Sequence, residues 1–173
     1  MAQYTEKYTE KVVYGEQPET VRYMPLPNGK ADVWIRHDIR QEPDGENNLI
    51  WLAREVYLQT AQSQAEIESN AVGIFLKESG IQQTLTDAVQ DWMDVTVGKR
   101  NYDSIFTACS YANSTNAKFR AEGEACVAWR DRVWERCYAI LEEVMAGLRA
   151  IPTVDELLAQ LRTELPLVWP EAA

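Results

Sequence analysis

Nucleophilic chemistry needs a base within reach, and the chain has a single histidine, His37. It falls in "ADVWIRHDIRQ", where alternation sets Val33, Ile35, His37 and Ile39 on one face of a strand. Trp34, Arg36, Asp38 and Arg40 take the other face. A histidine among aliphatic neighbours reads as structural or half-exposed, not as the base of a Ser-His-Asp or Cys-His system. The three cysteines, Cys109, Cys126 and Cys137, lie in predicted helices and show no C-x-x-C spacing. His37 is far from them in sequence, so a zinc site is not expected. They read as buried, reduced thiols. The acidic pairs Glu142–Glu143 and Asp155–Glu156 lie near helix ends, where Asp155 and Glu156 complement the helix N-terminus. Neither pair has the helical repeat of a di-metal bundle. No dinucleotide-binding, phosphate-loop or zinc-protease motif occurs. The expectation is a non-enzyme with no catalytic residue, no cofactor and no metal.

Charge narrows the partners. The net charge of −10 argues against nucleic acid, whose phosphates require clustered Lys and Arg. The nearest approach, Arg130, Arg132 and Arg136, is interrupted by Asp131 and Glu135 and reads as a solvated helix face. No apolar run reaches the roughly 18 residues of a membrane span, and "MAQYTEKYTEKVVYGEQ" has no hydrophobic signal core. A soluble, intracellular protein is expected.

The residues left to explain are aromatic. "ACVAWRDRVWERCY" places Trp129, Trp134 and Tyr138 on one helix of about Ala117 to Leu148. Phe119, Cys126, Trp129, Val133, Cys137, Ile140, Val144 and Leu148 form one stripe of that helix. Val127, Trp134, Tyr138, Leu141 and Met145 form a second, and an apolar arc this wide is expected to be covered on more than one side. Helices over 81–97 and 103–115 are the expected cover, the former through Ile81, Leu85, Ala88, Trp92 and Val95. A partner protein is the alternative, since Trp and Tyr carry much of the energy of interfaces. The stripe is wider than a strict a/d seam, which favours a bundle over a coiled coil.

Other elements frame this helix. Ser63 and Glu66 have capping-box spacing and start a helix expected to run to about Glu78, where Gly80 breaks it. Gly98 is placed to end the next helix. Thr153 and Glu156 repeat the capping box and open the last helix. Before residue 62 the pattern is β: "EKVVYGEQ", "ETVRYMPL", "ADVWIRHDIRQ" and "LIWLAREVYLQTA", with turn signals at "PNGK" and "EPDGENN". The predicted class is α+β: a small N-terminal antiparallel β meander, residues 1–62, followed by an α-helical bundle with one long helix, residues 63–173. The tail "LPLVWPEAA" leaves two alternatives for Trp169: folding back over the helical core, or docking as an extended peptide on another chain. An uncovered sheet edge raises the same question for the N-terminal module.

The stretch from Gly98 to Pro170 carries "YDSI", "SYANST", "F-x-x-E-G-x-A", "AWRD-x-VW", "AGLRAIPT" and "VWP". These resemble the C-terminal region of small proteins encoded beside tail-fibre genes in tailed bacteriophages and prophages. The first seventy residues, with "GKADVWIRHDIRQ" and "AREVYLQT", look like N-terminal regions of phage proteins from the same gene neighbourhood. The resemblance implies a tail-fibre accessory or assembly factor, acting as a chaperone on a fibre or tail protein in the cytoplasm of the infected host. It carries over no functional residue. The alternatives are a minor structural part of the tail or baseplate, retained in the virion, and a host-directed inhibitor; a homo-oligomer stays open. Candidate partner-binding residues are Trp34, Trp134 and Trp169.

Overall fold

The computed structural model describes residues 7–170. Four strands, β1 (Thr9–Val13), β2 (Val21–Pro25), β3 (Ala31–Pro43) and β4 (Leu49–Thr60), form one antiparallel sheet of order β1-β4-β3-β2. Strands β2, β3 and β4 are the expected meander. β1 departs from it by pairing with the far side of β4, Thr9 opposite Glu55 and Val13 opposite Trp51. Met1–Glu6, the start of the stretch read for a signal core, and Glu171–Ala173, the end of the tail, lie outside the described residues.

Both hairpin turns were marked in the sequence. In Leu26–Lys30 only Gly29 of the Asn-Gly pair takes positive φ, at 76°, and the Asn28 side chain accepts from Lys30 N–H at 3.1 Å. In the second turn the Asp44 carboxylate accepts from the N–H groups of Glu46 and Asn48, both at 2.8 Å, while Asn47 adopts φ 67°. The alternation of β3 holds from Ala31 to His37 and then slips: a bulge lies between His37 and Arg40, with Asp38 at φ 53°.

Helices α1 (Gln64–Ser69) and α2 (Ala71–Glu78) follow. The single helix expected over this stretch is therefore two, parted at Asn70, whose backbone leaves helical geometry at φ −132°. Serine and asparagine side by side favour such a break, since both compete for backbone hydrogen bonds. Ile67, Ala71, Phe75 and Leu76 are buried, as are Ala31, Val33, Ile35, Ala53 and Val56 of the sheet. α2 lies against β3, and α1 beside β2. The sheet therefore keeps its covering helices. The compact units divide between Thr84 and Leu85, within α3 (Ile81–Gly98), and not at residue 62. A sheet this small is marginal without something packed on its apolar face, which is why α1 and α2 belong with it.

The second unit contains the rest of α3, α4 (Ile105–Ser110) with a 3-10 turn at Tyr111–Asn113, α5 (Ala117–Met145) and α6 (Val154–Glu164). Its core joins Val89, Met93 and Val97 to Ile105, Ala108, Cys126, Trp129, Val133, Ile140, Leu157 and Leu161. Of the expected α3 stripe, Ile81 and Ala88 are buried and Leu85 and Trp92 pack against the core, but Val95 is 68% exposed, and Val89, Met93 and Val97 are buried besides. In α5 the first stripe is buried at Cys126, Trp129, Val133, Ile140 and Val144, but its ends, Phe119 and Leu148, are exposed. α5 stops at Met145 because Gly147 turns the chain at φ 70°, and Leu148 N–H returns to the Glu143 carbonyl at 2.9 Å. The α+β class and both capping boxes are as the sequence indicates. Among the described residues no helix is long and apolar enough to cross a membrane.

Candidate protein-binding surface

The residues singled out for chemistry are occupied structurally. His37 stacks on Phe75 at 5.3 Å, and its Nδ1 accepts from the Asp38 N–H at 2.9 Å. Burial, with a contribution from Arg54, holds its pKa below the ordinary value against the pull of Asp38, so the ring is neutral at pH 7. The three cysteines are free thiols. Burial raises Cys109, pushes Cys126 up to about 12 and Cys137 up to about 11, which leaves all three protonated at neutral pH. Glu143 bonds Arg136 and Arg149, both at 3.2 Å, and Glu156 caps α6. Among the described residues no group of three His, Cys, Asp or Glu side chains is placed to hold a metal ion.

The three candidate tryptophans occupy different surroundings. Trp34 lies on the outer face of the sheet, opposite Arg22 on one neighbour and Tyr57 on the other. The Arg22 guanidinium is 5.4 Å from its ring centroid and the Tyr57 ring also 5.4 Å away. The Tyr57 hydroxyl donates to Asp32 at 2.7 Å, which holds that carboxyl below the usual range.

Trp169 folds back on its own unit. Beyond α6 the chain runs extended, and Leu165, Leu167 and Trp169 pack against the helical core. Trp129, fully buried and edge-on to Trp92 at 5.3 Å, donates its indole N–H to the Leu165 carbonyl at 2.7 Å. The Trp169 ring stacks on Tyr102 at 6.2 Å, with the Arg100 guanidinium 4.6 Å from its centroid. Arg100 and the Tyr102 hydroxyl both donate to the buried Glu122 carboxylate, at 2.5 and 2.7 Å. Burial would raise the Glu122 pKa, but these donors outweigh it and hold the carboxyl below its ordinary value. The Tyr102 hydroxyl is pushed up, by burial first and then by Glu122. Tyr111 meets Tyr102 edge-on at 5.5 Å and Phe119 at 5.8 Å. Gly123 lets the 3-10 turn approach: a Cβ there would lie 2.3 Å from Ala112 N. Of the two alternatives for Trp169, folding back is the one the structure displays.

Trp134 differs. It is half-buried against the core and begins a row along the second half of α5: Trp134, Tyr138, Leu141 and Met145. The spacing of four, three and four residues keeps these side chains on one face, which spans about 17 Å at the helical rise. Tyr138 is 65% exposed and Met145 43% exposed, so the second stripe is not covered as expected. The reason lies in the neighbours. α4 and the 3-10 turn lie against α5, the turn at Gly123 near its N-terminal end. α6 lies on another flank, where Arg136 bonds Glu164 at 2.8 Å and Arg149 bonds Gln160 at 3.2 Å. The sequence displayed the residues of this row and their spacing. It did not display that Tyr138 and Met145 stand exposed among the described residues. Comparison with protein-family models, with curated proteins and with solved structures finds no match.

Proposed function

We propose that this chain works by binding another protein and not by catalysis, as an assembly chaperone or accessory factor for a tail-fibre or tail protein of a tailed phage. The observation that carries protein binding is the α5 row from Trp134 to Met145, in which Tyr138 and Met145 stand exposed beside the half-buried Trp134 and Leu141. Exposed apolar strips of this kind mark interaction surfaces, and Trp and Tyr supply much contact area at small cost in side-chain entropy. The phage setting is supported by the resemblance of residues 98–170 and by the net charge of −10, which keeps a binder of sticky intermediates soluble. No nucleic-acid partner is proposed, for the same reason of charge. The site of action proposed is the cytoplasm of the infected bacterium.

Co-expression with the neighbouring fibre gene tests the proposal. The expected result is a co-purifying complex on size-exclusion chromatography, and fibre that stays soluble only when this chain is present. Fibre equally soluble without it, and no co-elution, would overturn the reading. Detection of the chain in purified particles would instead make it a virion part.

A further inference from the structure

We infer that the second half of α5 is a docking face for a helix of another protein whose aliphatic stripe is flanked by Lys or Arg. This inference rests on the protein-binding reading above. The row Trp134, Tyr138, Leu141, Met145 has the four-three alternation of a helix seam, which accepts the knobs of a second helix over about three turns. The residue following Trp134 is Glu135 and the one following Leu141 is Glu142, so both carboxylates lie along the same border of the seam. Both are exposed. The ion pairs of this half of α5 join Arg136 to Glu143 and Glu164, and Arg149 to Glu143; none of them uses Glu135 or Glu142. The seam is therefore apolar with an acidic border that no ion pair among the described residues engages.

That border selects the occupant. A second copy packed antiparallel across a two-fold axis would set Glu135 of one chain near Glu142 of the other, and like charges at flanking positions oppose pairing. A helix with Lys or Arg beside its aliphatic stripe places opposite charge there and gains both specificity and encounter rate. A sheet edge or an extended peptide would not use the four-three spacing.

The test uses the full chain and two synthetic helical peptides with the same leucine stripe, one flanked by Lys and one by Glu. Titration followed by fluorescence polarisation of the labelled peptide should show tighter binding of the Lys peptide. Tyr138→Ser with Met145→Ser should weaken it by about tenfold or more, with thermal denaturation confirming that the variant stays folded. Glu135→Lys with Glu142→Lys should invert the preference toward the Glu peptide. Glu68→Lys with Glu78→Lys makes the same change in net charge at exposed positions of α1 and α2, and should leave the preference in place. If both double charge reversals act alike, the binding is bulk charge attraction and the inference is wrong. It is also wrong if Tyr138→Ser with Met145→Ser binds as the wild type does, or if the wild type is a dimer that these two changes dissociate. The same variant in the fibre co-expression separates the two ideas. Fibre kept soluble by it sinks the docking face and spares the chaperone reading. Fibre not kept soluble by the wild-type chain removes the reading, while the peptide titration still decides the face.

Discussion

Gly123 lies inside the 29-residue helix α5. On propensity alone Gly123→Ala should stabilise, because glycine within a helix costs about 1 kcal/mol relative to alanine. The structure reverses the sign. A Cβ at this position would lie 2.3 Å from Ala112 N, 2.5 Å from the Tyr111 carbonyl carbon and 2.9 Å from Ala112 Cα. All three are backbone atoms, so no rotamer change relieves the clash. Ordinary contact distances of roughly 3.5–4.0 Å are restored only if the 3-10 turn retreats from α5 by about an ångström. Tyr111 would move with it and loosen its contacts with Tyr102 and Phe119. Overpacking costs about 1–3 kcal/mol, and a forced backbone shift belongs at the upper end. Subtracting the propensity gain leaves a net loss of about 1–2 kcal/mol. Urea denaturation followed by far-UV circular dichroism reads this as a lower midpoint at unchanged slope. A midpoint equal to or above the wild type would refute the close approach of the turn to α5.

Other perturbations probe the same unit. Trp129→Ala removes a fully buried ring and the donor to the Leu165 carbonyl, and should cost ~3–5 kcal/mol; an unchanged melting temperature would show that the ring is not core. Glu122→Gln should cost about 1–2 kcal/mol at neutral pH, toward the low end for charged hydrogen bonds because Arg100 is partly exposed. The folded Glu122 pKa is depressed, so its contribution is fully present above the ordinary value of 4.5 and fades as pH falls through the folded value. The wild-type stability should therefore drop more steeply than that of the variant in that acid range, and parallel curves would contradict the assignment. Trp169→Ala should expose Tyr102 and Arg100 and lower the melting temperature of the isolated chain; a tail that serves only a partner would leave it unmoved.

What the sequence disclosed and what it hid divide by range of interaction. Ser63 with Glu66 and Thr153 with Glu156 could be placed because a capping box is complete within four residues. Gly80, Gly98 and the two hairpin turns are legible for the same reason. The pairing of β1 with β4 joins residues such as Thr9 and Glu55, and nothing local specifies it. Val95 was placed inward by a stripe that holds from Ile81 through Leu85, Ala88 and Trp92, but the buried face widens to Val89, Met93 and Val97 and leaves Val95 out. Periodicity finds an apolar face without saying which part of a wide face is covered. That ambiguity is what hid Tyr138 and Met145.

The motifs behind the phage resemblance largely converge on one place. "YDSI" supplies Tyr102 and "F-x-x-E-G-x-A" supplies Phe119, Glu122 and Gly123. "SYANST" supplies Tyr111 and Ala112, and "VWP" supplies Trp169. Tyr102 bonds Glu122, stacks on Trp169 and meets Tyr111, while Gly123 admits the backbone of Ala112. Each of these roles is satisfied within the chain, so substitutions there should act first on stability. On the proposed reading, partner-binding residues are to be sought where a side chain is large, exposed and without an internal contact among the described residues. Of the quoted motifs "AWRD-x-VW" contributes to the α5 row, through the half-buried Trp134. Tyr138, Met145, Glu135 and Glu142 lie outside all of them. It follows that chains sharing the motifs can share the helical unit and still take different partners. Exchanging those four residues while keeping the motifs should change what the protein binds without changing how it folds. A co-expression panel with more than one fibre protein would detect the change, and a loss of the fold on that exchange would contradict the separation.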